Sequence, residues 1–122
     1  MKNFEIGKEI NRLLTVGNVL AVQGKVFPLV ANVNTTFPFA VYRRIGYTPR
    51  NNKDYIGEIV TLEMNIATET YQQGVDIANS VATILQGNPQ SSLIERIDLA
   101  NVSEMYLQDT FVQNLQFRIE LK

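Results

Sequence analysis

A change of hydrophobic period within residues 60–85 constrains the fold more than any other feature of the chain. From Val60 to Ile66, apolar residues alternate with polar ones, which is typical of a strand with one buried face. From Tyr71 to Leu85, apolar residues recur at steps of three and four, which predicts an amphipathic helix. The sequence therefore predicts a strand that leads directly into a helix, and the two pack together at the centre of the core.

The second helix has recognisable ends. Thr68 or Thr70 is expected to cap its N-terminus, because a hydroxyl oxygen there accepts a hydrogen bond from a free backbone N–H. Gly87 is expected to follow its last turn in a left-handed conformation. Gly74, inside the helix, costs about 1 kcal/mol relative to alanine, which indicates close packing against a neighbouring element.

A first helix is predicted near residues 3–15, with Asn3 as its N-cap and Gly17 as its terminator. Its apolar stripe has the spacing i, i+4, i+7, i+8 and consists of Ile6, Ile10, Leu13 and Leu14.

Strands account for most of the remaining pattern. They are predicted over residues 39–45, 55–67, 93–102 and 111–121, with a short extended piece around Val26 and Phe27. In the strand over residues 39–45, Phe39, Val41 and Ile45 share one face. The order of helices and strands predicts an α+β fold, a two-layer sandwich in which an antiparallel sheet of four to five strands has two helices packed on one face. The length of 122 residues fits a single domain, residues 1–122.

Composition excludes several classes of function. The chain contains no Cys and no His, which excludes disulfides, thiolate chemistry, imidazole metal sites and Ser–His couples. The common phosphate-binding and nucleophile motifs are also absent from the sequence. A carboxylate-based hydrolase would have to use residues such as Asp98, Glu104 and Asp109, which have no diagnostic spacing. We predict no enzyme activity and no catalytic, cofactor-binding or metal-binding residues. Because no apolar run is long enough to span a bilayer, we also expect no membrane association.

A basic stretch in the hairpin 42–55 has two interpretations. Arg43, Arg44, Arg50 and Lys53 lie among Tyr42, Tyr47 and Tyr55, a mixture that suits phosphates and stacked bases. The alternative function is therefore a single-stranded nucleic-acid-binding module. A solvated hairpin tip is the simpler interpretation, since adjacent Arg43 and Arg44 point to opposite faces of a strand and Asp54 lowers the local charge.

The face of the sheet away from the helices is a second candidate surface. No predicted element remains to cover it. It is either an ordinary solvated face or a surface that contacts neighbouring copies or partners. The residues expected on this face are Thr61, Glu63, Asn65, Gln116, Arg118 and Glu120.

The order and spacing of several segments carry a family resemblance over residues 5–86. These segments are "IGKEINRLLT", "GKVFPLVA", "FPFAVYRRIG", the "KD" before the second hairpin strand, and "VTLEMNIATETYQQGVDIANSVATIL". In this respect the chain resembles the tail completion (tail terminator, head–tail joining) proteins of long-tailed phages and prophages.

The resemblance implies a structural protein without catalytic residues or cofactors. Such subunits form a ring, commonly a hexamer, that caps the tail tube and joins it to the head–tail connector protein. The implied location is the tail–head junction of the virion, with assembly in the host cytoplasm, and DNA contacts the ring only in transit. The uncovered sheet face and the outer side of the first helix are the expected ring contacts.

The family's long hairpin corresponds here to about residues 46–57 and is expected to reach towards the ring lumen or the tube. Arg43 and Arg44 are expected to contact a polyanion or a partner. The expected interaction loop consists of Tyr47, Pro49, Arg50, Asn51, Asn52, Lys53, Asp54 and Tyr55.

Overall fold

The computed structural model of the chain describes residues 2–17, 25–32, 34–49 and 57–122. A short 3-10 helix, Lys2–Glu5, leads into the first α-helix. The elements that follow are α1 (Ile6–Val16), β1 (Val26–Pro28), β2 (Phe39–Thr48), β3 (Ile59–Thr68), α2 (Tyr71–Leu85), β4 (Ile94–Leu107) and β5 (Thr110–Leu121).

All five strands belong to one sheet, in the order β1-β2-β3-β5-β4. The pairs β2–β3, β3–β5 and β5–β4 are antiparallel, as the sequence predicts. The prediction of a wholly antiparallel sheet is wrong at β1, which pairs in parallel with β2 and places Val26 opposite Ala40. Parallel pairing requires the chain to return, between Pro28 and Phe39, to the end of the sheet where β1 begins.

The core lies between the sheet and the two helices, which confirms the predicted α+β fold. Val60, Leu62, Met64 and Ile66 of β3 are fully buried, so the predicted alternation of this strand is correct. They form one apolar cluster with residues of the neighbouring strand and of both helices, including Leu115, Phe117, Ile119, Ile6, Ile10, Val81 and Leu85. Burial of this apolar surface is the main stabilising contribution to the fold.

The helix ends agree only in part with the predictions. Thr70 is the N-cap of α2, and its side-chain oxygen accepts a hydrogen bond from the backbone N–H of Gln73 at 3.3 Å. Gly87 has a φ of +111°, as expected for the residue just beyond a helix. Gly17 ends α1. Asn3 does not cap α1, because the 3-10 helix comes first and the cap position falls on Glu5.

The predicted apolar face of β2 is oriented away from the helices. Ala40 and Tyr42 are the residues that face them, because they lie opposite Ile66 and Met64 of β3. Space there is limited, since a Cβ added to Gly7 of α1 would lie 2.5 Å from the ring of Tyr42. Phe39 and Val41 therefore share the uncovered face. Ile45 does not continue this pattern, because the strand register shifts between Arg44 and Gly46.

The last hairpin is longer than the sequence predicts. β4 extends to Leu107 rather than ending near residue 102, and a tight turn follows in which Gln108 and Asp109 both have positive φ. All residues from Ala100 to Asp109 are exposed. With neither face buried, this segment has no need for an alternating pattern, so no strand signal appears in its sequence.

Candidate interaction surfaces

The six residues predicted on the uncovered face do lie together on β3 and β5. Thr61 is opposite Arg118, and Glu63 is opposite Gln116. Asn65 and Glu120 occupy further positions with the same orientation. All six are half-buried rather than fully exposed, because long side chains on adjacent strands cover one another. The face is therefore an ordered surface.

A polar network crosses this face from β2 to β4. Arg43 Nε donates to Glu63 Oε1 at 2.9 Å, and Asn65 Nδ2 donates to the same oxygen at 3.4 Å. Asn114 Nδ2 donates to Asn65 Oδ1 at 2.8 Å, and Ser103 Oγ donates to Asn114 Oδ1 at 3.4 Å. Four strands are thus connected through side chains alone. Asn114 was not among the residues predicted on this face, although it lies two residues before Gln116 and has the same orientation.

Glu63 is the charged centre of this network. The hydrogen bond from Arg43 is the main cause that holds the pKa of Glu63 below its usual range, against the opposing effect of desolvation. The Glu63 side chain is only 13% exposed, whereas that of Arg43 is 59% exposed. The carboxylate therefore stays ionised and fixed, and the guanidinium presents part of its surface to solvent.

One end of the uncovered face is apolar, which the sequence analysis did not predict. Phe39, Val41, Ala67, Met105 and Val112 line a shallow depression of about 330 Å³. Phe37 stacks on Phe39 beside it, with 5.7 Å between ring centroids. Alternate apolar residues in β2 are the signal of this patch in the sequence, but their pattern does not show which face of the sheet they occupy.

Arg44 points to the opposite side of the sheet from Arg43, as predicted. Its Nη1 donates to the Asn3 side chain at 2.6 Å, and its guanidinium carbon lies 4.5 Å from the centre of the Phe4 ring. Both arginines therefore have partners within the chain. Their predicted contact with a polyanion or a partner stays a prediction.

A groove lies beside Arg44, between the N-terminal helical segment and the edge of the sheet. Its volume is about 530 Å³. Its lining combines aromatic, apolar and basic side chains, among them Phe4, Lys8, Leu29, Tyr42 and Arg44.

The predicted interaction loop begins at the end of β2. The Tyr47 hydroxyl donates to Glu58 Oε2 at 2.9 Å, and this hydrogen bond is the main cause that raises the pKa of Tyr47. Pro49 is exposed. The other predicted loop residues, Arg50, Asn51, Asn52, Lys53, Asp54 and Tyr55, lie outside the described residues.

Two further properties concern the described part of the chain only. It contains no group of three or more metal-ligating side chains arranged to hold an ion. None of its helices is long and apolar enough to cross a membrane.

Comparison with known families and structures identifies the class of protein. The family model described as "Tail completion protein gp17" matches residues 10–121, which is nearly the whole chain. The chain belongs to this family of tail completion proteins. The resemblance seen in the sequence is thereby confirmed, and it extends through the last hairpin, beyond the segment that first indicated it. As a member of this family, the protein is a phage tail structural protein.

The fold is also found in a solved particle. A chain in the structure titled "Virion of native gene transfer agent (GTA) particle" has a TM-score of 0.74 with this chain at 16% sequence identity. The similarity covers 92% of this chain and 90% of that one. No curated protein matches the sequence. At this identity, the structural likeness establishes the fold alone.

Proposed function

We propose that the protein assembles as a closed ring, of six subunits in the family's common form, at the head-proximal end of the tail tube. The ring terminates the tail and joins it to the head–tail connector protein. The observation that carries this proposal is the family match over residues 10–121, because it covers the sheet and α2 together rather than a single motif.

The architecture of the subunit supports assembly. A ring uses two different surfaces of each subunit, each complementary to the other. This subunit has an ordered, uncovered sheet face with a polar half and an apolar end, and it also has a groove at the β1–β2 edge. An apolar depression on an otherwise polar face is typical of a surface that meets another protein.

The role that we propose is structural and not enzymatic. The subunit contacts other copies of itself, the tail tube protein and the connector, and DNA contacts the ring only in transit. Its location is the tail–head junction of the virion, after assembly in the host cytoplasm. The sequence contains no His or Cys, so the most common proton-transfer and nucleophilic side chains are missing.

The connection between β2 and β3 is the proposed docking element towards the tube. It runs from Pro49 to Glu58, which is longer than the two to five residues that a hairpin needs. Polar and basic residues in it have little apolar area to bury within one subunit. Contacts with the tube or with a neighbouring subunit would bury these residues in the assembly.

Deletion of the gene in the phage that encodes it tests the proposal. Lysates should contain filled heads and separate tails, seen by negative-stain electron microscopy. Expression of the protein in trans should restore joined, infectious particles. Joined particles at the normal frequency in the absence of the protein would overturn the proposal.

A further inference from the structure

Charge is distributed very unevenly along this chain. Residues 1–53 contain eight Lys and Arg and only two Glu, a formal charge of +6. Residues 54–122 contain three Lys and Arg and ten Asp and Glu, a formal charge of −7. The net charge of −1 is therefore the sum of two strongly charged halves of opposite sign.

The topology of the sheet places these halves at opposite edges. β1 and β2 form one edge and belong to the basic half, whereas β4 forms the other edge and belongs to the acidic half. Among the described residues, the ion pairs are Glu9–Arg12, Arg43–Glu63 and Arg96–Asp98. Of these three pairs, Arg43–Glu63 alone joins the two halves, so the ion pairs of the described residues neutralise little of the charge separation.

The acidic edge ends in the exposed tip of the β4–β5 hairpin. Between Arg96 and Arg118 the sequence has no basic residue. Glu104 accepts a hydrogen bond from Gln113 at 2.6 Å and Asp109 accepts one from Tyr106 at 3.1 Å, but both donors are neutral. The apolar side chains of this tip are also exposed: Met105 by 48%, Tyr106 by 59% and Leu107 by 60%.

The groove at the basic edge has the complementary properties. Phe4 and Leu29, which line it, are 67% and 72% exposed. Lys8 and Arg44 provide positive charge, and no Asp or Glu is among the described residues of the lining. The tip and the groove thus each expose apolar area. The tip carries negative charge and the groove carries positive charge.

We propose that the tip of the β4–β5 hairpin, residues 104–109, docks into the groove of a second copy of this chain. This inference rests on the proposed ring and assigns its subunit contact. The tip belongs to β4 and β5, whereas the groove is lined by the N-terminal helical segment, β1 and β2, and no tip residue is among the described residues of its lining, so the two meet between subunits. Each contact leaves one tip and one groove free, and addition continues until the ring closes. Opposite charges accelerate encounter and select the head-to-tail orientation.

Engineered disulfides test this contact directly, because the natural chain has no Cys. Leu29→Cys and Leu107→Cys introduce one thiol in the groove and one at the tip, both at exposed positions. When the two single variants are mixed, one of them carrying a tag, mild oxidation should give mainly the mixed dimer. The double variant should give a ladder of higher multimers on a non-reducing gel.

Different results would contradict the contact between the tip and the groove and the ring itself. Rings in electron micrographs without any cross-link between the tip and the groove would overturn this contact and leave the ring intact. Cross-linked dimers dominated by Leu107→Cys with itself would also overturn it. If the protein forms no ring by itself, none with tail tubes and none in recovered particles, then both the proposed ring and the proposed contact are wrong.

Neutralising the tip provides a second test with a matched control. Glu104→Gln with Asp109→Asn removes two charges from the tip and preserves side-chain shape. Asp76→Asn with Glu95→Gln removes two exposed charges from the same half, away from the tip. The tip pair should raise the concentration needed for self-association about tenfold, and the control pair should leave it nearly unchanged. Equal effects would show that net charge, rather than this contact, controls assembly.

Discussion

Two adjacent residues of β3 illustrate how one position along a strand decides the role of a side chain. Met64 is fully buried beneath the helices. Glu63 lies on the uncovered face and is held by Arg43. Because side chains alternate across a strand, the sequence predicts both orientations once the buried face is known. The partner of Glu63 depends on the pairing of β2 with β3, which the sequence pattern does not specify.

We expect Met64→Asp to prevent folding, because an unpaired charge in the core costs several kcal/mol of a marginal total stability. Thr61→Asp on the same strand is the control, since Thr61 lies on the uncovered face opposite Arg118. Circular dichroism melts should show a cooperative transition for Thr61→Asp and none for Met64→Asp. A folded Met64→Asp variant would contradict the assigned face of β3.

Glu63→Gln should destabilise the protein by about 1 kcal/mol at pH 7, the upper range for a partly exposed ion pair. The lowered pKa of Glu63 means that its ionised form favours the folded state. This contribution is present above the ordinary pKa of 4.5 and is lost as the pH falls through the lower, folded pKa. The difference in unfolding free energy between the natural protein and Glu63→Gln should therefore shrink below about pH 4.5. Urea titrations at several pH values measure it, and a difference that does not change with pH would contradict the assignment.

At the scale of elements, the packing of α2 against β3 and β5 explains why the helix contains Gly74, which is unfavourable in a helix interior. A Cβ added to Gly74 would lie 2.9 Å from Thr68 Oγ1 and 3.4 Å from Gln113 Cγ. Thr68 is fully buried, and its hydroxyl donates to the carbonyl of Thr70 at 2.8 Å. The glycine thus allows the helix to approach the sheet closely, and the predicted reason for its presence is correct.

Gly74→Ala should lower stability even though alanine favours helix by about 1 kcal/mol, because the methyl group has no space beside Thr68. In the double variant with Thr68→Ala, the penalty of Gly74→Ala should largely disappear. Urea unfolding of the four proteins forms a double-mutant cycle. Additive effects of the two substitutions would show that the contact with Thr68 does not determine the cost.

Replacing residues 49–53 by Asn-Gly should leave the fold intact, because that pair closes tight hairpins. If the connection between β2 and β3 is the docking element, the shortened variant should fail to restore infectivity in the deleted phage. Its melting curve should match that of the natural protein. Full infectivity from a folded, shortened variant would show that this loop only connects two strands.

How well each element can be predicted from the sequence depends on how it is buried. β3, α2 and β5 each bury one face, and their hydrophobic periods predict them closely. The outer part of β4 buries neither face, so its length was missed. The larger apolar residues of β2, Phe39 and Val41, are half-buried on the uncovered face, so a pattern that assigns apolar residues to the core gives the wrong face there.

The candidate surfaces follow the same physical rule. The positions of Thr61, Glu63 and Gln116 on the uncovered face could be predicted, since they alternate with buried neighbours. The apolar end of that face and the groove beside Arg44 depend on contacts between residues far apart in sequence. Such contacts arise from strand pairing and helix placement, and no local pattern encodes them.

At the scale of the whole molecule, the fold separates stability from assembly. One face of the sheet carries the core, while none of the helices and strands in the described part of the chain covers the other face. The edges differ in charge as well as in shape, which favours head-to-tail contact over symmetric pairing. These properties suit a subunit of a ring at the end of a tail tube.

Electron microscopy of the purified protein, alone and mixed with tail tubes assembled from the phage's tube protein, tests the central proposal most directly. We expect closed rings of uniform diameter and, in the mixture, one ring at a single end of each tube. The same rings should be present at the head-proximal end of tails from lysates. Monomers at every concentration, together with bare tube ends in both the mixture and the lysates, would contradict the proposal.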